Sequence, residues 1–152
     1  LVHLLLAKEL TIATAESCTG GLVAQRITSV PGASSVFEWG VVTYSCGTKR
    51  KLLGVSQKTL DTYGAVSPQT AMAMARRARV KSGADIGISV TGNAGPGKPV
   101  GLVYVGLDSG RYTTAQELHI QTMAHDGREY IREMAASRAL HLALETARQM
   151  VK

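Results

Sequence analysis

The chain has 152 residues, 45% hydrophobic and 18% charged, with a formal net charge of +6 and a pI near 9.6. That length suits one domain with a core needing no covalent staples, and the composition excludes a disordered chain. No apolar run approaches the roughly 20 residues of a membrane span, and two cysteines, Cys18 and Cys46, make neither a disulfide framework nor a zinc site, so a reducing, cytoplasmic setting is expected.

Residues 1–10 (LVHLLLAKEL) lack the basic start and small-residue cleavage site of a signal peptide and read as an amphipathic first helix. The chain begins at Leu1 rather than methionine, which allows a longer parent protein. Leu10–Ala15 reads as a short buried strand. Thr19 is placed to cap a helix over 20–29, where Leu22, Val23, Arg26, Ile27 and Val30 recur at helical spacing until Pro31-Gly32. Val36–Tyr44, rich in β-branched and aromatic residues, is a second strand. Lys49–Leu53 reads as a short helix closed by Gly54. Ser56 caps a helix over Gln57–Tyr63, which Gly64 stops. Ser67-Pro68 is a strong start signal for a helix running to Ser82 and ending at Gly83. Asp85–Thr91 is almost wholly apolar and therefore central in its sheet. Val100–Leu107 and Tyr112–Thr122 form a hairpin over Asp108-Ser109-Gly110-Arg111. Asp126 caps a last long helix carrying Ile131, Met134, Ala135, Leu140, Leu142 and Leu144. Strands alternating with helices predict an α/β protein, a single domain over 1–152. Its form is a three-layer α/β/α sandwich with a mixed, mainly parallel sheet of about five strands.

Three segments rich in glycine and hydroxyl residues follow strands: Ala15–Gly21, Tyr44–Lys49 and Thr91–Gly97. Ligands in open α/β sheets bind outside the carboxyl ends of strands, so the three predict one composite site. Ser17 is the candidate nucleophile, but a serine attacks a carbonyl only when a base takes its proton. The alternative is that it only turns or caps the chain. Thr19, Gly20 and Gly21 open a helix whose free N–H groups favour an oxyanion or a phosphate. None of His3, His119, His125 and His141 falls in the three segments, although His125 precedes the last helix. Lys49 is the better base, if burial or the neighbouring cations Arg50 and Lys51 lower its pKa; otherwise it is a surface lysine. Tyr44 either relays a proton or holds substrate, or else packs on the core.

Cys18 is a rival nucleophile at a helix start, but it reads better as small buried filler pointing away from Ser17. Cys46 has no motif around it. The Thr91–Pro99 loop offers backbone donors, with Gly92 and Gly95 permitting close approach, yet it matches neither the dinucleotide fingerprint nor the P-loop. Arg128 and Arg132 lie one turn apart and form either a phosphate fork or surface ion pairs. The basic excess sits largely in Lys49-Arg50-Lys51 and in Arg76, Arg77, Arg79 and Lys81, the latter helix cluster read as a solvated face. With only 5% aromatic residues a base-stacking platform is not expected, nor nucleic acid as a partner.

AESCTGG at 15–21, GVVTYS at 40–45 with Lys49 five residues after the tyrosine, LLGV at 52–55, YGAVS at 63–67, SVTGNAGP at 89–96, KPVG at 98–101 and GREYIR at 127–132 together resemble the CinA C-terminal-domain family. That family includes the PncC-like nicotinamide mononucleotide deamidases, and the resemblance runs in order over essentially the whole chain. It implies metal-independent hydrolysis of an amide, nicotinamide mononucleotide plus water giving nicotinate mononucleotide and ammonia, with no cofactor. It implies Ser17 as nucleophile, Lys49 as base and Tyr44 as relay or orienting group. Thr19, Gly20, Gly21, Thr91, Gly92 and Gly95 would bind substrate, and Arg128 would meet the phosphate. It also implies a three-layer sandwich, a small-molecule nucleotide as partner, no membrane, and a homo-oligomer. The chain departs from the family pattern in three places. Only Gly97 separates Ala94-Gly95-Pro96 from Lys98-Pro99-Val100-Gly101, where relatives carry several more residues. Asn93 stands where an apolar residue is usual, and His125-Asp126-Gly127-Arg128 replaces a Gly-Asp-Arg entry. Two other readings keep their place: a non-catalytic nucleotide- or DNA-binding regulatory module, and a hydrolase for a different amide.

Overall fold

The computed structural model describes every residue except 124–126. Helix α1 (Val2–Lys8) leads into strand β1 (Ile12–Glu16), helix α2 (Leu22–Thr28) and strand β2 (Phe37–Val42). A short helix α3 (Cys46–Thr48) continues as a π-turn over Lys49–Leu53, before α4 (Gln57–Tyr63) and α5 (Pro68–Ser82). Strands β3 (Ile86–Gly92), β4 (Leu102–Asp108) and β5 (Thr113–His119) precede α6 (Gly127–Gln149).

The five strands form one sheet in the order β2-β1-β3-β4-β5. β1 runs parallel to β2 and β3, and β4 is antiparallel to both β3 and β5, so β4 alone is reversed. The sheet is therefore mixed and mainly parallel, with β1 and β3 inside it. Alternation along the strands assigns the layers. Ile12 of β1 and Ile86, Ile88 and Val90 of β3 pack with Ile27 of α2 and with Ile131, Ala135 and Ala139 of α6. Ala13 and Ala15, on the other face, pack with Leu53, Val55 and Leu60 and with Met74 and Ala78 of α5.

The contact of α5 with the sheet is made backbone to backbone. A Cβ added at Gly87 would overlap the Ala75 carbonyl, and one at Gly106 would overlap that of Ala71. Ser89, between them on the same face, donates its hydroxyl to Ala71 O at 2.6 Å. At the far end, Arg79 Nε meets the Asp108 carboxylate at 2.6 Å.

Local signals set most boundaries. Ser56 Oγ accepts from the Thr59 N–H and Ser67 Oγ from the Thr70 N–H, both at 3.1 Å, and left-handed Gly83 ends α5. Two expected details differ. The α2 cap is Gly21 rather than Thr19, because Gly20 (φ 62) and Gly21 (φ 105) are both left-handed and delay the helix to Leu22. The helix expected over 49–53 is a π-turn entered through α3, whose Ser45 and Thr48 cap each other. The expected Asp126 cap lies outside the described residues.

Gly87→Ala and Gly106→Ala should each destabilise the fold by about 1–3 kcal/mol, since α5 must lift off the sheet to admit a methyl group. Urea denaturation of the single variants checks this. An unchanged midpoint would mean that α5 has room to give.

Candidate active site

Ser17 is the first residue past β1 and continues the Ala13–Ala15 face, towards the π-turn. Lys49 comes to it through a chain reversal at the end of β2. Ser45 Oγ accepts from the Thr48 N–H at 3.1 Å, and Thr48 Oγ1 accepts from the Ser45 N–H at 3.2 Å. The reversal folds Lys49 back under the strand it follows. Its side chain is wholly buried, and Nζ donates to Thr43 O at 2.7 Å and to Tyr44 O at 3.2 Å. Ser17 Oγ lies 3.1 Å from Nζ. Burial pushes the Lys49 pKa below the usual lysine range, against a smaller opposing influence of the Cys46 and Cys18 thiols. Desolvation is thus the cause, rather than the adjacent Arg50 and Lys51.

The two carbonyls also orient the amine. A neutral lysine has two N–H bonds and one lone pair. With both N–H groups on Thr43 O and Tyr44 O, the lone pair is left for the Ser17 hydroxyl. Nζ donates to Ser17 Oγ in this arrangement, and at 3.1 Å a neutral amine is close enough to accept the serine proton once the hydroxyl turns from Tyr44 O towards it.

Ser17 opens into a cavity of about 170 Å³ walled by Tyr44, Val66, Thr91, Gly92, Gly95 and Arg128. All three glycine- and hydroxyl-rich segments contribute to it. The Tyr44 side chain is 61% exposed, and its Oη accepts from Arg128 Nη2 at 3.0 Å. Its carbonyl, not its phenol, meets Lys49, and also lies 3.4 Å from Ser17 Oγ. Arg128 donates its other terminal nitrogen to Gly95 O. Thr91 is buried and donates to Ala65 O at 2.7 Å.

Thr19, Gly20 and Gly21 do not line this cavity. The anion expected at their helix start is the chain's own: buried Glu16 accepts from the Val23 N–H at 2.8 Å and the Ala24 N–H at 3.1 Å. Thr19 Oγ1 donates to the same carboxylate at 2.6 Å. Arg132, expected to pair with Arg128 in a phosphate fork, instead donates Nε to Cys18 O at 2.9 Å and Nη2 to Thr19 O at 3.2 Å.

The rival groups sort themselves out. Burial raises the Cys18 thiol to about 11, which keeps it protonated at neutral pH. Cys46 is exposed. His119 pairs with Glu117 at 3.3 Å and His141 with Glu145 at 3.2 Å, His3 sits on α1, and His125 lies outside the described residues. A wider groove of about 520 Å³ beside α1, α2 and α6 is lined by Ser29, Ser137 and His141 as well as Ile27, Val30 and Leu140, but Ser137 Oγ accepts from Arg26 at 2.8 Å and His141 pairs with Glu145.

The CinA C-terminal domain family model matches residues 1–147. The chain belongs to the CinA C-terminal-domain family. It is 55% identical over 122 residues to a putative competence-damage inducible protein of Caldanaerobacter subterraneus, covering 77% of this chain and 30% of that protein. It is 48% identical over 151 residues to a protein of the same description from Moorella thermoacetica, covering 95% of this chain and 35% of that one. The chain thus spans about a third of the length of these curated relatives. The crystal structure of competence/damage inducible protein CihA from Agrobacterium tumefaciens superposes with a TM-score of 0.90 at 40% identity, covering 97% of this chain and 91% of that one. A CinA superfamily protein of Escherichia coli gives 0.86 at 33% identity, covering 93% and 83%.

In this CinA C-terminal domain the short 94–101 loop is tied off by Asn93. Its N–H donates to Leu102 O at 2.8 Å, its carbonyl accepts from the Gly101 N–H at 2.7 Å, and Oδ1 accepts from the Gly95 N–H at 3.0 Å. Asn93 thus closes the base of the loop from both its main chain and its side chain. Sequence reasoning missed three contributions: the Thr43 and Tyr44 carbonyls, the Glu16 carboxylate and the Arg132 bridge. Only Glu16 left a signal, as a carboxylate at the end of a buried strand just before a helix start. No helix among the described residues is long and apolar enough to cross a membrane.

Glu16→Gln keeps the shape but loses the charge and presents an NH2 to donors. It should cost about 1–3 kcal/mol of stability, measurable by chemical denaturation. A neutral result would mean that water can take over the freed α2 amides.

Proposed function

We propose that this domain hydrolyses the amide of nicotinamide mononucleotide, giving nicotinate mononucleotide and ammonia. The observation that carries the reading is the 3.1 Å approach of Ser17 Oγ to a fully buried Lys49 Nζ whose N–H groups are taken up by two carbonyls. A serine–lysine pair of this kind suits acyl transfer and needs neither metal nor histidine. The printed names of the relatives describe competence and damage induction, so the chemical reading rests on the site and on the family resemblance of its motifs.

In this reading Ser17 Oγ attacks the amide carbon as Lys49 takes the hydroxyl proton. The proton passes to the departing nitrogen, the C–N bond breaks, and ammonia leaves an ester on Ser17. Water then attacks the ester, Lys49 accepts its proton and returns it to Ser17 Oγ, and the carboxylate is released. The Tyr44 phenol, bonded to Arg128 and facing the cavity, orients the substrate or relays the proton to the leaving group. The cavity suits the amide-bearing ring, with Gly92 and Gly95 admitting it close to the main chain. Arg128, exposed at the rim, meets the phosphate. The same reading expects a cytoplasmic enzyme that acts as a homo-oligomer.

Ammonia release from nicotinamide mononucleotide should fall at least about 10³-fold in Ser17→Ala and in Lys49→Met. Activity needs the neutral amine, so kcat/KM should rise with pH to a plateau whose midpoint lies below the ordinary lysine value. It should fall on acidification as Nζ is protonated. A profile flat from about pH 5 to 9 would remove Lys49 as the base. Nicotinamide riboside lacks the phosphate and should lose about 10- to 100-fold in kcat/KM, the worth of one charge-assisted hydrogen bond. Equal turnover of the two would take Arg128 out of substrate recognition.

A further inference from the structure

Helix α6 enters the site region twice. Arg128, in its first turn, reaches Tyr44 Oη and Gly95 O, and Arg132, one turn on, reaches the segment that carries the nucleophile. Ser17 begins a tight turn closed by the Gly20 N–H on Ser17 O at 3.0 Å. The acceptors of Arg132, Cys18 O and Thr19 O, are the two carbonyls that follow it. Thr19 O already accepts the Leu22 N–H at 3.1 Å, so the helix start does not depend on the arginine for that acceptor. Gly20 makes the room: an added Cβ would sit 3.2 Å from Arg132 Nη2, at a φ of +62° that a side chain disfavours. On the other side of the turn, Glu16 holds Thr19 Oγ1 and the first amides of α2. The nucleophile's turn is thus gripped between a buried anion and a bidentate cation, and neither lines the cavity.

We propose that Arg132 is a positioning residue. By holding the Cys18 and Thr19 carbonyls it fixes the turn that keeps Ser17 Oγ within reach of Lys49 Nζ. The inference rests on Ser17 being the nucleophile. A displacement of about 1 Å in such a pair costs on the order of 10²-fold in rate, so a contact to the backbone behind the serine has catalytic leverage.

The test is the rate at which an uncharged fluorophosphonate labels Ser17, a reaction that requires neither the amide nor a phosphate handle. The Oγ–P bond forms, the P–F bond breaks, fluoride leaves and the hydroxyl proton passes to Lys49. Arg132→Met should label about 10- to 100-fold more slowly per folded molecule, with kcat for ammonia release falling in parallel and KM moving less than about twofold. Arg132→Lys keeps one donor and should recover most of the rate. Gly20→Ala retains the charge but displaces the guanidinium, and should slow labelling even if Arg132→Met does not fold. A merely structural contact would lower the thermal midpoint of these variants and leave the labelling rate of the folded fraction unchanged, which would overturn the proposal. Wild-type protein that does not label would overturn the serine nucleophile and this inference together. Labelling without ammonia release would remove only the substrate.

Discussion

A lysine amine with no exposure to water is the constraint around which this molecule is arranged. Burial disfavours the charged form, and an amine left without partners in the interior is costly in either form. Thr43 O and Tyr44 O supply those partners, and they come from the last turn of chain before the lysine's own helix. Ser17 Oγ is the third group that Nζ meets, at 3.1 Å. Solvation and orientation of Lys49 therefore share one cause: the reversal after β2, which the mutual capping of Ser45 and Thr48 makes sharp.

Ser17 is held from the other side of the sheet's carboxyl edge. Period-two alternation at the end of β1 sends Glu16 to the α2–α6 side and Ser17 to the π-turn side, so two adjacent polar residues serve opposite layers. Glu16 satisfies the start of α2 internally, which withdraws that helix terminus from ligand binding. Arg128, by contrast, stays exposed at the rim of the cavity. The two glycines of AESCTGG, which by themselves suggest a phosphate cradle, serve a left-handed approach to α2 and a passage for Arg132.

Charge is distributed unevenly between the layers. Residues 50–81 carry seven lysines and arginines against the single carboxylate Asp61, while the rest of the chain balances ten against ten. The two basic clusters, separate in sequence, are joined where Arg77 Nε donates to Leu53 O at 3.0 Å. The excess in the α4–α5 layer and its entry turn thus equals the net charge of the whole protein. The opposite layer is basic to a lesser degree: α1, α2 and α6 carry Lys8, Arg26, Arg128, Arg132, Arg138 and Arg148 against Glu129, Glu133 and Glu145.

Much of this was legible in the residues. Ser56, Ser67-Pro68, Gly54, Gly64 and Gly83 determine helix boundaries through local hydrogen bonds and left-handed backbone, and such signals survive any tertiary context. The apolar run at 86–90 likewise determined a central strand, and the glycine-rich ends of three strands determined that a site lies at their carboxyl ends. What only the tertiary structure decided are the partners that come from distant chain. Lys49 could be a buried or a surface lysine until the fold placed it. Arg132 could clamp a phosphate or hold a turn until α6 was laid against Cys18 and Thr19. Thr19 could cap α2 until Glu16 claimed its hydroxyl. Main-chain carbonyls such as Thr43 O and Tyr44 O carry no mark in a sequence, because every residue has one and only packing selects which of them meet a buried amine.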